Sequence, residues 1–325
     1  MHTPRVALIA TSLVATTAFL IAGCGEGASE AHAASSSGSR NATTKAPAPQ
    51  AFPSEPDKVA EHVLRSIGEG KLYVAWDALP QSYQADVTQL VHTFAANVDR
   101  DLWNRGFEVF GKVITVMETK KDLILAMPKF QEAPGFDLQK ASREWDSVIA
   151  PFKTIAKSDI ANVDRMKNVD IRKMLGTTGV DFIKQLEALN EIKEGGPAND
   201  LANMRQAHAT FVGFLGNSKD NAMVTLEVPG KPTIDQEFVK VEGKWIPLDV
   251  QQDWDKQMAE AREALSKMSG AKFAEKKPQI MQMLDAVDGT LDQLMAATTP
   301  EQFEQTVKMG VFQVFGGLMA LGQDN

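Results

Sequence analysis

The stretch AMVTLEVPGKPTIDQEFVKVEGKWIPL, residues 222–248, decides the fold class because its hydrophobic period differs from that of the rest of the chain. Its first segment places an apolar residue at every second position, which is the period of a strand with one buried face. Pro229-Gly230 and Glu242-Gly243 are turn signals that divide the stretch into three short strands. The pattern predicts an antiparallel β-meander whose third strand lies at an edge or ends at Pro247, because proline cannot donate to a ladder.

The sequence on both sides of this stretch has the period of helices. Apolar residues recur every three or four positions, as in the sets Tyr83, Val87, Leu90, Val91, Phe94 and Trp254, Met258, Ala261, Leu265. Residues 56–325 are therefore predicted to form a globular helical domain with strands near 222–248. The predicted fold class is mainly α with a small antiparallel β-meander (α+β), a helical bundle packed with a three-stranded sheet. The pattern leaves open whether this region forms one domain or two.

Two segments carry more specific helical predictions. Leu201, Met204, His208, Phe211 and Leu215 would share one face of a helix, which would place the His208 imidazole at the boundary of the core as a hydrogen-bonded structural group. The last helix is predicted to begin at Thr299-Pro300-Glu301. We expect its apolar stripe to be covered by the bundle, and that stripe comprises Phe303, Val307, Val311, Val314 and Leu318.

The beginning of the chain is typical of an export signal. Residues 1–5 carry one fixed positive charge at Arg5, and residues 6–21 are uncharged and largely apolar. These features predict a secretory signal over residues 1–23. As a transmembrane helix the run is marginal, because a bilayer core requires about 20 apolar residues.

The run Leu20-Ile21-Ala22-Gly23-Cys24 resembles the bacterial lipobox and contains the only cysteine of the chain. The resemblance implies that the signal peptide is cleaved before Cys24 and that the cysteine sulfur carries a diacylglycerol, with fatty acyl chains such as palmitate. Cys24 is therefore the predicted lipidation site. With no second cysteine the exported chain can form no internal disulfide, so its stability must come from its core.

The residue after Cys24 bears on the membrane that carries the anchor. In lipoproteins of bacteria with two membranes, an aspartate at this position favours retention at the inner membrane, and this chain has Gly25 there. The resemblance therefore implies a cell-envelope location at the outer membrane facing the periplasm rather than at the inner membrane. A bacterium with one membrane would instead display the protein on the outer face of that membrane.

Residues 24–55 differ in composition from the rest of the chain. They are rich in Gly, Ala, Ser, Thr and Pro and contain few large apolar side chains. Such a segment buries too little surface to offset the entropy of ordering, so we expect a disordered tether behind the lipidated cysteine.

The strand region is similar to one part of a known fold. The meander that contains VEGKWIPL resembles the end of cystatin-like and NTF2-like domains, which occur in many exported proteins. The likeness is confined to the strands near residues 222–248. Those domains have a short helical section before a longer curved sheet, whereas this chain has a long run of helices there, so the resemblance implies no function.

Motifs for catalysis are few. Ser269-Gly-Ala-Lys272 matches the S-x-x-K of penicillin-binding enzymes, but the chain has neither K-T-G nor S-D-N, and we interpret the motif as a turn. No G-x-S-x-G is present, and no histidine of the predicted domain has a partner at the spacing of a recognised zinc motif. We interpret His62 and His92 as surface residues and the five tryptophans as core residues. The sequence predicts no catalytic, cofactor-binding or metal-binding residue.

These observations leave two classes of function. The first is a non-catalytic binding or structural module, held at the membrane by its N-terminal lipid, whose partner is an envelope protein, a glycan or a small apolar ligand. The alternative is an exported hydrolase with an unrecognised site. Nucleic acid is not an expected partner, because the formal net charge is −8 and the chain has no basic patch with interleaved aromatic residues.

Replacing Cys24 with serine tests the anchor. The Cys24→Ser chain lacks the sulfur that accepts the diacylglycerol, so it should be recovered as a soluble exported protein or as an uncleaved precursor. Metabolic labelling with a fatty acid, followed by cell fractionation, measures both properties. An unacylated and soluble wild-type protein would show that the interpretation of residues 1–24 is wrong.

Overall fold

The computed structural model describes residues 47–48, 51–128, 137–190, 197–268 and 271–322. These residues form a mainly helical α+β fold with a single four-stranded antiparallel sheet. The predicted fold class is confirmed, although the sheet has one strand more than the sequence indicated. Cys24 and Ser269 lie outside the described residues.

Most helices precede the sheet. They are α1 (Pro56–Gly68), α2 (Leu72–Ala78), α3 (Gln81–Asn97), α4 (Arg100–Thr119), α5 (Lys121–Leu125), α6 (Leu138–Arg143), α7 (Trp145–Lys157), α8 (Val163–Met166), α9 (Ile171–Met174), α10 (Val180–Asn190) and α11 (Pro197–Arg205). Three long helices follow the sheet, namely α12 (Leu248–Met268), α13 (Ala271–Ala296) and α14 (Pro300–Gly322). Helix α1 begins with Pro56 at its first turn, a position where the missing N–H of proline costs no hydrogen bond.

The sheet contains β1 (His208–Phe214), β2 (Asn221–Glu227), β3 (Ile234–Val241) and β4 (Lys244–Pro247), in that spatial order. The three predicted strands are β2, β3 and β4, and β4 is an edge strand that ends at Pro247, as predicted. Glu242 and Gly243 both have positive φ, which is the backbone of the tight turn that joins two antiparallel strands.

The helical prediction for the segment around His208 is wrong. Helix α11 ends at Arg205, and residues 208–214 form strand β1 instead. In this segment Thr210, Phe211 and Val212 favour an extended backbone, and the strand pairs with β2 on both sides of an irregularity at Val212. The helical spacing of the apolar residues favours a helix only weakly, and the pairing with β2 determines the conformation instead.

The apolar core has three clusters of buried residues. One lies between α1 and one face of the sheet and includes Trp245. A second lies around Trp254 of α12 and includes the apolar face of α3 and Ile246 from the opposite face of the sheet. The third joins α4, α7, α13 and the start of α14 around Leu291 and Phe303. All five tryptophans belong to these clusters or pack against them, as predicted.

The last residues of the expected tether contact the domain. The Phe52 ring packs against the cluster under α1, and the Trp245 indole N–H donates to the Ser54 carbonyl over 2.9 Å. Further upstream, the Pro47 carbonyl accepts a hydrogen bond from Arg172. The chain therefore has fixed contacts with the domain at positions before residue 56.

Helix α14 is buried at Phe303 but exposed at Val311 and Phe312. Phe303 is 2% exposed, whereas Val311 is 64% and Phe312 is 80% exposed. The expectation that the whole apolar stripe is covered is therefore wrong at Val311. A Cβ atom on Gly310 would lie 2.6 Å from the Thr290 side chain, so close contact with α13 extends to Gly310.

Within the described ranges, no helix is both long enough and apolar enough to cross a membrane.

Replacing Trp254 with alanine should lower the free energy of unfolding by about 3–5 kcal/mol, because the 2% exposed indole would leave a large cavity. Urea denaturation measures this loss. The control Gln251→Ala changes an exposed residue of the same helix and should stay within about 0.5 kcal/mol of wild type. A loss below about 1 kcal/mol for Trp254→Ala would show that this position is not central to the core.

Candidate binding groove

An open groove of about 960 Å³ runs along α3, and its opposite wall is formed by residues 169–172. Helix α3 supplies most of its polar lining, namely Gln81, Gln84, Thr88, Gln89, His92 and Thr93. These residues recur three or four positions apart, so they form one face of the helix. The other face carries the buried apolar residues and packs on the Trp254 cluster.

The far wall of the groove is held by an ion pair between Arg172 and Asp77. Nε and Nη2 of Arg172 donate to the two carboxylate oxygens of Asp77, each over 2.7 Å. This bidentate ion pair links α9 to α2, and both side chains are largely buried. The hydrogen bond that Arg172 donates to Asp77 raises the pKa of Arg172 above its ordinary value, although burial opposes the shift. Arg172 is therefore a permanent cation whose charge is already balanced.

Arg172 also binds a segment of main chain. Its Nη1 donates to the carbonyl of Pro47 over 2.5 Å, and the Pro47 ring lies against Gly176. A Cβ atom at position 176 would approach the proline ring to 2.8 Å, so glycine makes this contact possible. Arg172, at one edge of the groove, thus binds the main-chain carbonyl of Pro47.

Several polar groups of the groove have defined partners. Nε2 of Gln84 donates to the carbonyls of Trp76 and Leu79, and the Thr88 hydroxyl donates to the Gln84 carbonyl. Nε2 of His92 lies 3.2 Å from the Val169 carbonyl, which can only accept a hydrogen bond. His92 is therefore half-buried and tied to the opposite wall, whereas the sequence suggested a surface residue.

The chemistry of the groove is that of hydrogen bonding. Among the described residues, Nε2 of His92 is paired with the Val169 carbonyl rather than with a hydroxyl or a thiol. The same residues contain no group of three His, Cys, Asp or Glu side chains close enough to bind a metal ion. Helix α3 thus offers a ligand a row of amide and hydroxyl groups, and the opposite wall adds the carboxylate of the exposed residue Asp170.

The structure places His208 on the edge strand β1, away from the groove lining. Its Nδ1 lies 2.8 Å from the carboxylate of Glu61, which also accepts the Ala209 N–H. Burial alone would raise the pKa of Glu61, but the Ala209 hydrogen bond and the nearby charge of Arg65 lower it. A hydrogen-bonded structural role for His208 fits this contact, and the imidazole is more than half exposed.

Sequence reasoning missed the groove. The polar face of α3 was visible as uncharged residues at helical spacing, but such a face is also common on solvated helices. The opposite wall is distant in sequence, since 95 positions separate Asp77 from Arg172. No local pattern could have paired them.

The chain matches no known protein family, no curated protein and no solved structure.

The Arg172→Lys substitution keeps the charge but removes the bidentate contact, and it should lower the free energy of unfolding by about 1–3 kcal/mol. The control Lys173→Arg changes the exposed neighbour and should leave stability within about 0.5 kcal/mol of wild type. Chemical denaturation of both variants, and of a double-mutant cycle with Asp77→Ala, measures the coupling. Additive losses in the cycle would contradict an energetic link between Arg172 and Asp77.

Proposed function

We propose that this chain is an exported, lipid-anchored cell-envelope protein and that it acts as a non-catalytic binding module. The partner is an envelope protein that places an extended, uncharged segment in the groove along α3. The anchor follows from the lipobox at Leu20–Cys24 and from the export signal that precedes it.

One observation carries the proposal for the groove: α3 lines it with a row of amides and hydroxyls, while Arg172 in the opposite wall is already paired with Asp77. Glutamine side chains present the same donor and acceptor groups as a peptide main chain, and they can pair with an extended segment. The contact between Arg172 and the Pro47 carbonyl supports a peptide ligand, because it is an example of main-chain recognition at the edge of the groove.

The other two expected ligand classes fit the lining less well. Trp76 is the groove's only tryptophan and is 7% exposed, so its ring offers no face on which a sugar could stack. A small apolar ligand prefers an enclosed cavity, whereas this groove is open and carries amide and hydroxyl groups beside its apolar residues. Nothing in the described residues favours the hydrolase alternative.

Photo-crosslinking in living cells tests the groove. The probe p-benzoylphenylalanine, introduced at Ala85 of the lipidated chain, stands in the groove lining. The same probe at Ala259, an exposed position of α12 outside the lining, is the matched control. We expect an adduct at position 85 that proteases digest and that is absent at position 259.

A second variant tests the hydrogen bonding. Gln89→Ala should reduce the adduct at position 85 by about two- to tenfold, the range for one lost hydrogen bond, while Gln252→Ala on α12 should not. An adduct that is digested by muramidase and not by protease would show that the partner is a glycan rather than a protein. Equal labelling at positions 85 and 259 would contradict a binding role for the groove.

A further inference from the structure

The end of α14 presents apolar side chains to solvent. Met309, Val311 and Phe312 are exposed, and Phe312, at 80%, is the most exposed of the large hydrophobic residues described. The sequence continues from Val311 to Gly322 as VFQVFGGLMALG, without a charged residue, and the helix extends to Gly322. An uncharged helix end with exposed apolar residues is typical of a contact surface.

The bundle itself does not cover this surface. Phe303 and Thr306 are buried against α13 and its neighbours, and close contact between the two helices extends to Gly310. Val311 and Phe312, which are more exposed than Met309, follow this contact directly. We name Val311, Phe312 and the helix that follows them to Gly322 the α14 end.

The length of the α14 end determines whether it can cross a bilayer. Residues 311–322 span about 18 Å at 1.5 Å per residue, whereas a hydrocarbon core is about 30 Å thick. The segment is too short to cross a membrane. A short apolar helix can instead lie in the boundary between headgroups and acyl chains.

The short chain between the predicted lipidation site and the domain also favours a bilayer as the binding partner of the α14 end. Residues 24–46 connect the predicted lipidation site to Pro47, and their composition predicts a flexible chain with a root-mean-square reach of roughly 25 Å. A domain held this close to a bilayer meets its surface at high effective concentration. Even a weak apolar contact is then occupied for much of the time.

We infer that the α14 end inserts into the interface of the bilayer that carries the lipid on Cys24, and that it orients the domain against that bilayer. The inference rests on the proposed lipid anchor. The contact is apolar rather than electrostatic, because the segment has no lysine or arginine and the net charge of the chain is −8. Anionic lipid therefore adds no attraction to the contact.

Flotation of the mature chain carrying Cys24→Ser with lipid vesicles tests the insertion without the covalent anchor. The probes are phosphatidylcholine vesicles and vesicles that also contain phosphatidylglycerol, each at low and high salt. We expect similar binding to both. The double substitution Val311→Asp and Phe312→Asp should lower the partition coefficient at least about tenfold, because two apolar side chains lose their burial.

Val212→Asp is the matched control, since Val212 is an exposed valine on β1, at 60% against 64% for Val311. It should leave the partition coefficient unchanged. Far-ultraviolet circular dichroism and thermal melting verify that each variant is folded. A chain shortened after Gly310 keeps the buried half of α14 and should lose vesicle binding as the double variant does.

Three results would overturn the inference. The first is no binding to either vesicle, and the second is binding that the double substitution does not reduce. The third is self-association of the lipid-free chain that the double substitution abolishes, which would identify a second copy as the occupant. Failure of the lipid anchor is distinguishable from all three, because it appears in the acylation assay on wild-type cells and not in flotation of the unlipidated chain.

Discussion

The burial of Trp254 is the interaction on which the rest of the structure depends. Its ring stacks on Tyr83 of α3 with the ring centres 4.0 Å apart, and its indole N–H donates to Asp86 over 3.0 Å. The same cluster includes residues from the sheet, so one side chain joins α3, α12 and the strands. Because this core holds the apolar face of α3, the polar face of that helix is left to line the groove.

The C-terminal half of the domain is held by paired charges as well as by apolar packing. Nζ of the buried Lys112 on α4 lies 2.7 Å from carboxylate oxygens of Asp288 and Asp292 on α13. Burial alone would raise the pKa of Asp288, but the hydrogen bond and the charge of Lys112 lower it. These contacts fix α13 against α4, and α13 in turn supports the first half of α14.

The domain therefore presents two surfaces of different chemistry. Helix α3 presents a row of uncharged polar groups to the groove, and Arg172 in the opposite wall is balanced by Asp77. The α14 end exposes the apolar side chains of Val311 and Phe312. A protein that is held at a bilayer and binds an extended segment of another protein would use both, since one surface matches lipid and the other matches a peptide main chain.

The sequence by itself determined the features that local chemistry controls. The export signal and the lipidation of Cys24 are predictions of this kind, because such signals consist of consecutive residues. The strands β2, β3 and β4 were predictable because a two-residue period and turn residues specify them locally, and the tryptophans were assigned to the core because of their large apolar area.

Only the tertiary structure decided the rest. Residues 208–214 became a strand because β2 supplies partners for their main chain, and their helical spacing could not reveal this. The far wall of the groove is held by the pairing of Arg172 with Asp77, and Val311 is exposed directly after Gly310, which lies in close contact with α13. Each of these outcomes depends on the distance between residues that are far apart in the chain, and a hydrophobic pattern carries no information about that distance.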